Sequence, residues 1–176
     1  GEDFQFKLNG MWACAIWDSR ERKLFVSRDR FGVKPMIYLF DGKRFAFASE
    51  MKAFLALDNF RAEYNPTVFA NSFEDATLVE GAEDCLFQGL KRLLGGHCIT
   101  LFANGDMKIR RWWHTLDHLP NVPERYEDQV AQYRELFLDA CRIRMRSDVP
   151  IGTALSGGLD SSSVLSSMSH IRKSGD

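Results

Sequence analysis

At 176 residues the chain has room for one domain or two small ones, and 45% hydrophobic with 27% charged residues is the composition of a globular protein with a core. A net charge of −1 excludes a nucleic-acid or anionic-membrane binder that works by bulk charge. No apolar run is long enough to cross a bilayer and no signal peptide opens the chain, so a cytoplasmic location is expected.

Residues 8–18 form an apolar run with aromatic and β-branched members, which predicts a buried strand that contains Cys14 as a core thiol. After a polar turn, Leu24–Asp29 predicts the returning strand of a hairpin. Arg30–Pro35 predicts a loop, with Gly32 and Pro35 as breakers. Arg28, Asp29 and Arg30 beside that loop predict a local network of ion pairs and hydrogen bonds; an anion site is the alternative. Met36–Phe40 and Arg44–Ala48 predict two more strands, joined at the turn pair Asp41-Gly42. Ser49–Leu55 predicts a helix with Ser49 as N-cap.

Pro66–Phe73 predicts a short helix with proline in its first turn. Glu74–Asp84 is acidic and predicts a surface loop without the spacing of a calcium loop. His97–Phe102 and Met107–Trp113 predict a hairpin around Asn104-Gly105. His114 and His118 lie four apart, but Pro120 follows closely, so they read as linker histidines rather than a metal site. Leu119–Arg125, with two prolines, reads as a link between domains. Glu127–Arg146 carries the clearest helical periodicity, with Val130, Tyr133, Phe137, Ala140 and Cys141 on one face. Arg142, Arg144 and Arg146 crowd its end, where positive charge suits the helix dipole; drawing in a nucleotide is the alternative. Cys14, Cys85, Cys98 and Cys141 are scattered without a CxxC pair, which predicts reduced thiols and no zinc site.

The chemistry concentrates in Ser156-Gly157-Gly158-Leu159-Asp160-Ser161-Ser162-Ser163. Pro150–Leu155 before it predicts a buried strand, and Val164–Ile171 after it has helical spacing. A strand, a glycine turn and a helix start in that order form an anion site. Glycines let backbone N–H groups approach a phosphate, and the unpaired amides of the first helical turn face it. Asp160 is placed to cap that helix or to meet a metal ion held by phosphate. No lysine follows the glycines, so this is not a Walker A loop.

The string SGGLDSS, preceded by Ser147-Asp148-Val149-Pro150, resembles the pyrophosphate loop of ATP-cleaving amide-forming enzymes, the asparagine synthetase family in particular. That resemblance implies ATP and Mg²⁺ as cofactors. It assigns Leu155 to nucleotide contact and Ser156, Gly157, Gly158, Asp160, Ser161 and Ser162 to the pyrophosphate, with Asp160 as the candidate contact to Mg²⁺. The strings LNGMWACAIWD, RDRFGVKPMIY and FAFASEMKAFLAL look like the later part of a class II glutamine amidotransferase domain. That family's nucleophile is an N-terminal cysteine. Gly1 is not that cysteine, so no glutaminase residue carries over. Leu86–His97 resembles the same family's F-x-G-I-x-x-L-x-P-G-H stretch, with Gly95 where proline is usual, a change expected to loosen the turn.

Taken together, the resemblances imply an α+β fold, the later half of a layered N-terminal-nucleophile amidotransferase domain over residues 1–118. A linker follows at 119–125, and 126–176 opens a parallel α/β ATP-pyrophosphatase domain. The chain is then expected to be an internal segment of a longer enzyme, inactive and poorly stable by itself. The parent would use aspartate, glutamine and ATP to make asparagine through a β-aspartyl-adenylate, with no nucleic-acid or membrane partner; the resemblance allows a homodimer. Two alternatives stay open. One is a related enzyme acting on another carboxylate or closing a β-lactam ring; the other is a non-catalytic nucleotide-binding descendant.

Overall fold

The computed structural model describes residues 2–175. The chain divides into two compact units, Gly1–His118 and Leu119–Asp176.

The first unit is built on seven strands among the described residues: β1 (Ala13–Asp18), β2 (Lys23–Arg28), β3 (Ile37–Phe40), β4 (Phe45–Ala48), β5 (Leu90–Arg92), β6 (His97–Phe102) and β7 (Met107–Arg111). They form two antiparallel sheets, ordered β1-β2-β6-β7 and β4-β3-β5. Alternation along β2 sends successive side chains to opposite faces. Val26, paired with Ile99, joins Tyr38, Met36 and Leu93 in one core cluster that contains side chains of both sheets. Phe25, on the other face, packs with Cys98 and Trp112. Burying both faces explains why Phe25–Arg28 is buried without a break. A third cluster, with Ile37, Leu39, Phe54, Cys85 and Leu90, covers the remaining face of the smaller sheet.

Several local expectations change. The strand expected from Leu8 enters its ladder only at Ala13, and a 3-10 helix occupies Glu2–Lys7. Met51–Ala56 is a 3-10 helix rather than an α-helix, anchored by Phe54. Its N-cap is Glu50, not Ser49, and no side chain caps it. The helix α1 (Pro66–Glu74) has the expected proline, and its Asn65 carboxamide accepts from the N–H groups of Thr67 and Val68. The expected acidic loop contains a second helix, α2 (Ala76–Gly81). Asp75 starts it by accepting both the N–H (2.8 Å) and the hydroxyl (2.6 Å) of Thr77, which hold its carboxyl below the usual range. A capping carboxylate starts a helix where acidity predicts a surface loop.

The second unit consists of α3 (Tyr126–Arg144) and α4 (Leu159–Ser174), which pack on one another with Cys141 and Ile171 as their buried residues. Gln129 and Gln132 donate to the carbonyls of Pro123 and Asn121, fastening the proline-rich lead-in to α3. One expectation fails here. The apolar face of α3 is buried only at Cys141, with Val130 and Tyr133 left exposed, and residues 150–155, expected as a buried strand, are neither a strand nor buried. A strand exists only by pairing, and no described strand lies in this unit to pair with it. The molecule is thus a mixed α/β protein with antiparallel sheets.

Candidate functional site

The glycine loop keeps the shape that its residues dictate. Gly157 takes φ 80°, the left-handed region open to glycine, and no atom lies within 4 Å of where a Cβ would stand. The chain then turns into α4 with Gly158 as N-cap. Ser162 donates its N–H to the Gly158 carbonyl at 3.2 Å, so the N–H groups of Leu159, Asp160 and Ser161 precede the helical ladder. Hydroxyls brace the turn. Ser156 Oγ lies 3.1 Å from Ser161 Oγ and accepts the Gly158 N–H at 3.4 Å, while Ser161 Oγ donates to the Gly158 carbonyl at 3.2 Å.

Asp160 sits at the second helical position, not at the N-cap, so the capping half of its expected role is wrong. Its carboxylate is exposed and has no hydrogen-bond or ion-pair partner among the described residues. Leu155 is 58% exposed and Leu159 83% exposed, so an apolar wall flanks the loop on each side without being buried in this unit. The turn offers three free amides, the hydroxyls of Ser156, Ser161 and Ser162 and one unengaged carboxylate, and no cation. That donor set suits an anion carrying its own counter-ion. No group of three His, Cys, Asp or Glu side chains able to hold a metal occurs among the described residues.

Arg28, Asp29 and Arg30 are structural. Arg28 is buried, and its guanidinium donates to the carbonyls of Lys34 (2.6 Å), Leu93 (2.5 Å) and Gly32. Burial pulls its pKa below the ordinary arginine value. The Asp29 carboxylate, 1% exposed, accepts three loop amides, from Phe31, Val33 and Lys34, at 2.9–3.2 Å. Arg30 lies over the ring of Trp113, 4.5 Å from its centroid, and donates to Leu8 O. Arg28 and Asp29 are committed to backbone groups that fix the loop, and Arg30 ties it to the Phe6–Leu8 segment, which favours the structural reading over an anion site.

The glycine at position 95 does not loosen its turn. A Cβ there would meet Gly32 N at 2.7 Å and Phe31 C at 2.8 Å, because the Arg30–Gly32 backbone lies directly against it. His118 stacks on Trp113 with ring centroids 3.9 Å apart, and His114 Nδ1 lies 3.4 Å from Asp117 Oδ1. Burial raises the thiol pKa values of Cys14, Cys85 and Cys98, as expected for unreactive thiols.

The glutamine amidotransferase domain family matches residues 1–113, and the asparagine synthase family matches residues 132–175. The chain belongs to the glutamine amidotransferase domain family. Its likeness is to the glutamine-hydrolysing asparagine synthetases. It is 37% identical to asparagine synthetase 3 of Bacillus subtilis over 99% of this chain and 28% of that one. It is 31% identical to asparagine synthetase 2 of the same organism, over 93% of this chain and 23% of the other. Amidase chry2 of Gibberella zeae is 32% identical over 99% of this chain and 26% of its own. The chain therefore spans about a quarter of the length of these relatives.

Proposed function

We propose that this chain is part of a glutamine-dependent, ATP-consuming amide ligase that makes asparagine. In this reading residues 1–118 are the later part of the amidotransferase domain, 119–125 the linker, and 126–176 the start of a parallel α/β ATP-binding domain. The observation that carries it is the glycine turn at the start of α4, inside the segment that matches asparagine synthase.

The loop's task is electrostatic. When a carboxylate attacks the α-phosphorus of ATP, the bond to the β-phosphate oxygen breaks and negative charge builds on departing pyrophosphate. Amides already pointing at that charge stabilise it without reorganising. Gly157 and Gly158 let the backbone come close, and the N–H groups of Leu159, Asp160 and Ser161 face the phosphates. Ser156, Ser161 and Ser162 supply hydroxyls, and Leu155 contacts the nucleotide. Mg²⁺, when bound, screens the phosphate charge. It would draw most ligands from phosphate and water, with Asp160 the protein group that holds it in place. Aspartate supplies the carboxylate. Ammonia, released when water hydrolyses glutamine to glutamate, displaces AMP from the activated acid to give asparagine.

The amidase relative supports a second reading, in which the same loop activates a different carboxylate. One assay separates the two: pyrophosphate release by the full-length protein with ATP, ammonia and either aspartate or other carboxylic acids. Release that requires aspartate supports asparagine synthesis, and release with another acid alone supports the second reading. Asp160→Asn should slow release on the order of a hundredfold. Its structural cost is small, about 0.3–1 kcal/mol for losing a charge in the first helical turn. A variant within about threefold of wild type would remove Asp160 from metal positioning.

A further inference from the structure

A cavity of about 180 Å³ in the first unit is lined by residues of both sheets, with Tyr38, Arg92, Leu93, His97 and Ile109 joined by Glu83 from the segment after α2. Its polar groups are unusually unspent. Tyr38 is only 4% exposed, yet its hydroxyl has no hydrogen-bond partner among the described residues. The hydroxyl is reached from the cavity, so its donor and lone pairs are available to a ligand or to water. Burial and the nearby Glu83 carboxylate push the Tyr38 phenol up to about 12, so it stays a donor at neutral pH.

The two charged residues are held on the same cavity without neutralising each other. Arg92 Nη1 donates to the carbonyls of Val79 (2.8 Å) and Ala82 (2.6 Å), which fixes the guanidinium and leaves its Nε–H and Nη2 donors without a hydrogen bond. Glu83 bonds Arg92 only through the backbone, its carbonyl accepting the Arg92 N–H; its carboxylate makes no ion pair among the described residues. His97 Nδ1 lies 2.8 Å from the Gly95 carbonyl. A carbonyl can only accept, so Nδ1 carries the hydrogen and neutral His97 presents Nε2 as a bare acceptor. The cavity therefore has fixed carboxylate donors at Arg92, ammonium acceptors at Glu83 and His97, and an apolar wall at Leu93 and Ile109.

We propose that this cavity binds a small zwitterionic α-amino acid with a short apolar side chain. Its carboxylate pairs with Arg92 and Tyr38, its ammonium with Glu83 and His97 Nε2, and its side chain lies on Leu93 and Ile109. A neutral molecule would leave both charges unpaired, and a simple anion or cation would satisfy only one. Such a site is separate from the glycine loop, so the reading does not depend on what that loop binds.

Calorimetric titration of the full-length protein with L-alanine, L-valine and L-leucine tests this. At least one should saturate with a dissociation constant on the order of 1 mM. N-acetyl-L-leucine and L-leucinamide, each lacking one charge, should bind at least about tenfold more weakly than L-leucine. Tyr38→Phe removes a hydroxyl that holds nothing in the protein, so the variant should fold as wild type and lose about tenfold in affinity. Glu83→Gln should lose at least as much. Failure of all three amino acids to bind overturns the proposal. So does binding that survives both Tyr38→Phe and Glu83→Gln unchanged, or that is indifferent to acetylation and amidation.

Discussion

Gly95→Ala should destabilise the first unit, although alanine is the smallest possible addition. The new methyl would stand 2.7 Å from Gly32 N, 2.8 Å from Phe31 C and 3.2 Å from Arg30 O. All three are backbone atoms, and that backbone cannot drift. The Asp29 carboxylate holds the amides of Phe31, Val33 and Lys34, the Asp29 carbonyl accepts from Gly32 and Gly96, and the Arg28 guanidinium holds the carbonyls of Gly32, Lys34 and Leu93. Relieving the clash means breaking some of these bonds. Overpacking of this kind costs about 1–3 kcal/mol. Restricting the unfolded chain returns about 0.4–1 kcal/mol. The net is a loss of roughly 1.5 kcal/mol, which lowers the midpoint of a unit this size by about 6 °C. Thermal melting of wild type, Gly95→Ala and a control, Gly81→Ala, measures it. Gly81 has open space around it and an ordinary backbone, so its variant should melt at or slightly above wild type. A Gly95→Ala protein that melts no lower than wild type would refute the argument that the loop is fixed.

Arg28→Lys should cost about 2–4 kcal/mol in urea unfolding, because an ammonium cannot reach the three carbonyls that the planar guanidinium bridges. Asp41 accepts the N–H groups of Arg44 and Lys43 and the Arg44 side chain, which hold its carboxyl at about 2. Its folded pKa lies below its unfolded value, so its contribution is present above about pH 4 and is lost as pH falls toward 2. Asp41→Asn should flatten the pH dependence of stability in that window alone. Cys85 and Cys98 are fully buried with raised pKa values, so a thiol reagent at pH 8 should label them far more slowly in the native protein than in guanidinium.

Elements whose cause is local were legible in the sequence. The turns at Asp41-Gly42 and Asn104-Gly105 join antiparallel strands as expected, since alternation and turn chemistry lie within a few residues of each other. The helices α3 and α4 likewise follow from periodicity. Asp75 was also a local signal, yet the acidity around it obscured the cap that starts α2. Elements defined by a distant partner were not legible. Residues 150–155 are apolar enough for a strand but find nothing to pair with in their unit. A structural role for Arg28 could be read from its neighbours, but not that one of its acceptors is Leu93, 65 residues away. For the glycine loop, residue types and order sufficed to foresee a glycine turn followed by a helix. The placement of Asp160 two residues past the cap needed coordinates. Tyr38, Glu83, Arg92 and His97 share no spacing at all, and only the sandwich of sheets brings them to one cavity.

The aromatic packing has a practical consequence for anyone following this protein in solution. All four tryptophans, Trp12, Trp17, Trp112 and Trp113, lie in the first unit, and three of them neighbour Arg30. The second unit has tyrosines at 126 and 133 but no indole. Tryptophan emission is therefore a private signal of the sheet-bearing unit, silent about the helices that carry the glycine loop. Far-ultraviolet circular dichroism reports both units, with α3 and α4 supplying most of its α-helical signal. If the two curves separate along a denaturant gradient, the units melt independently, and a single midpoint would average two different events.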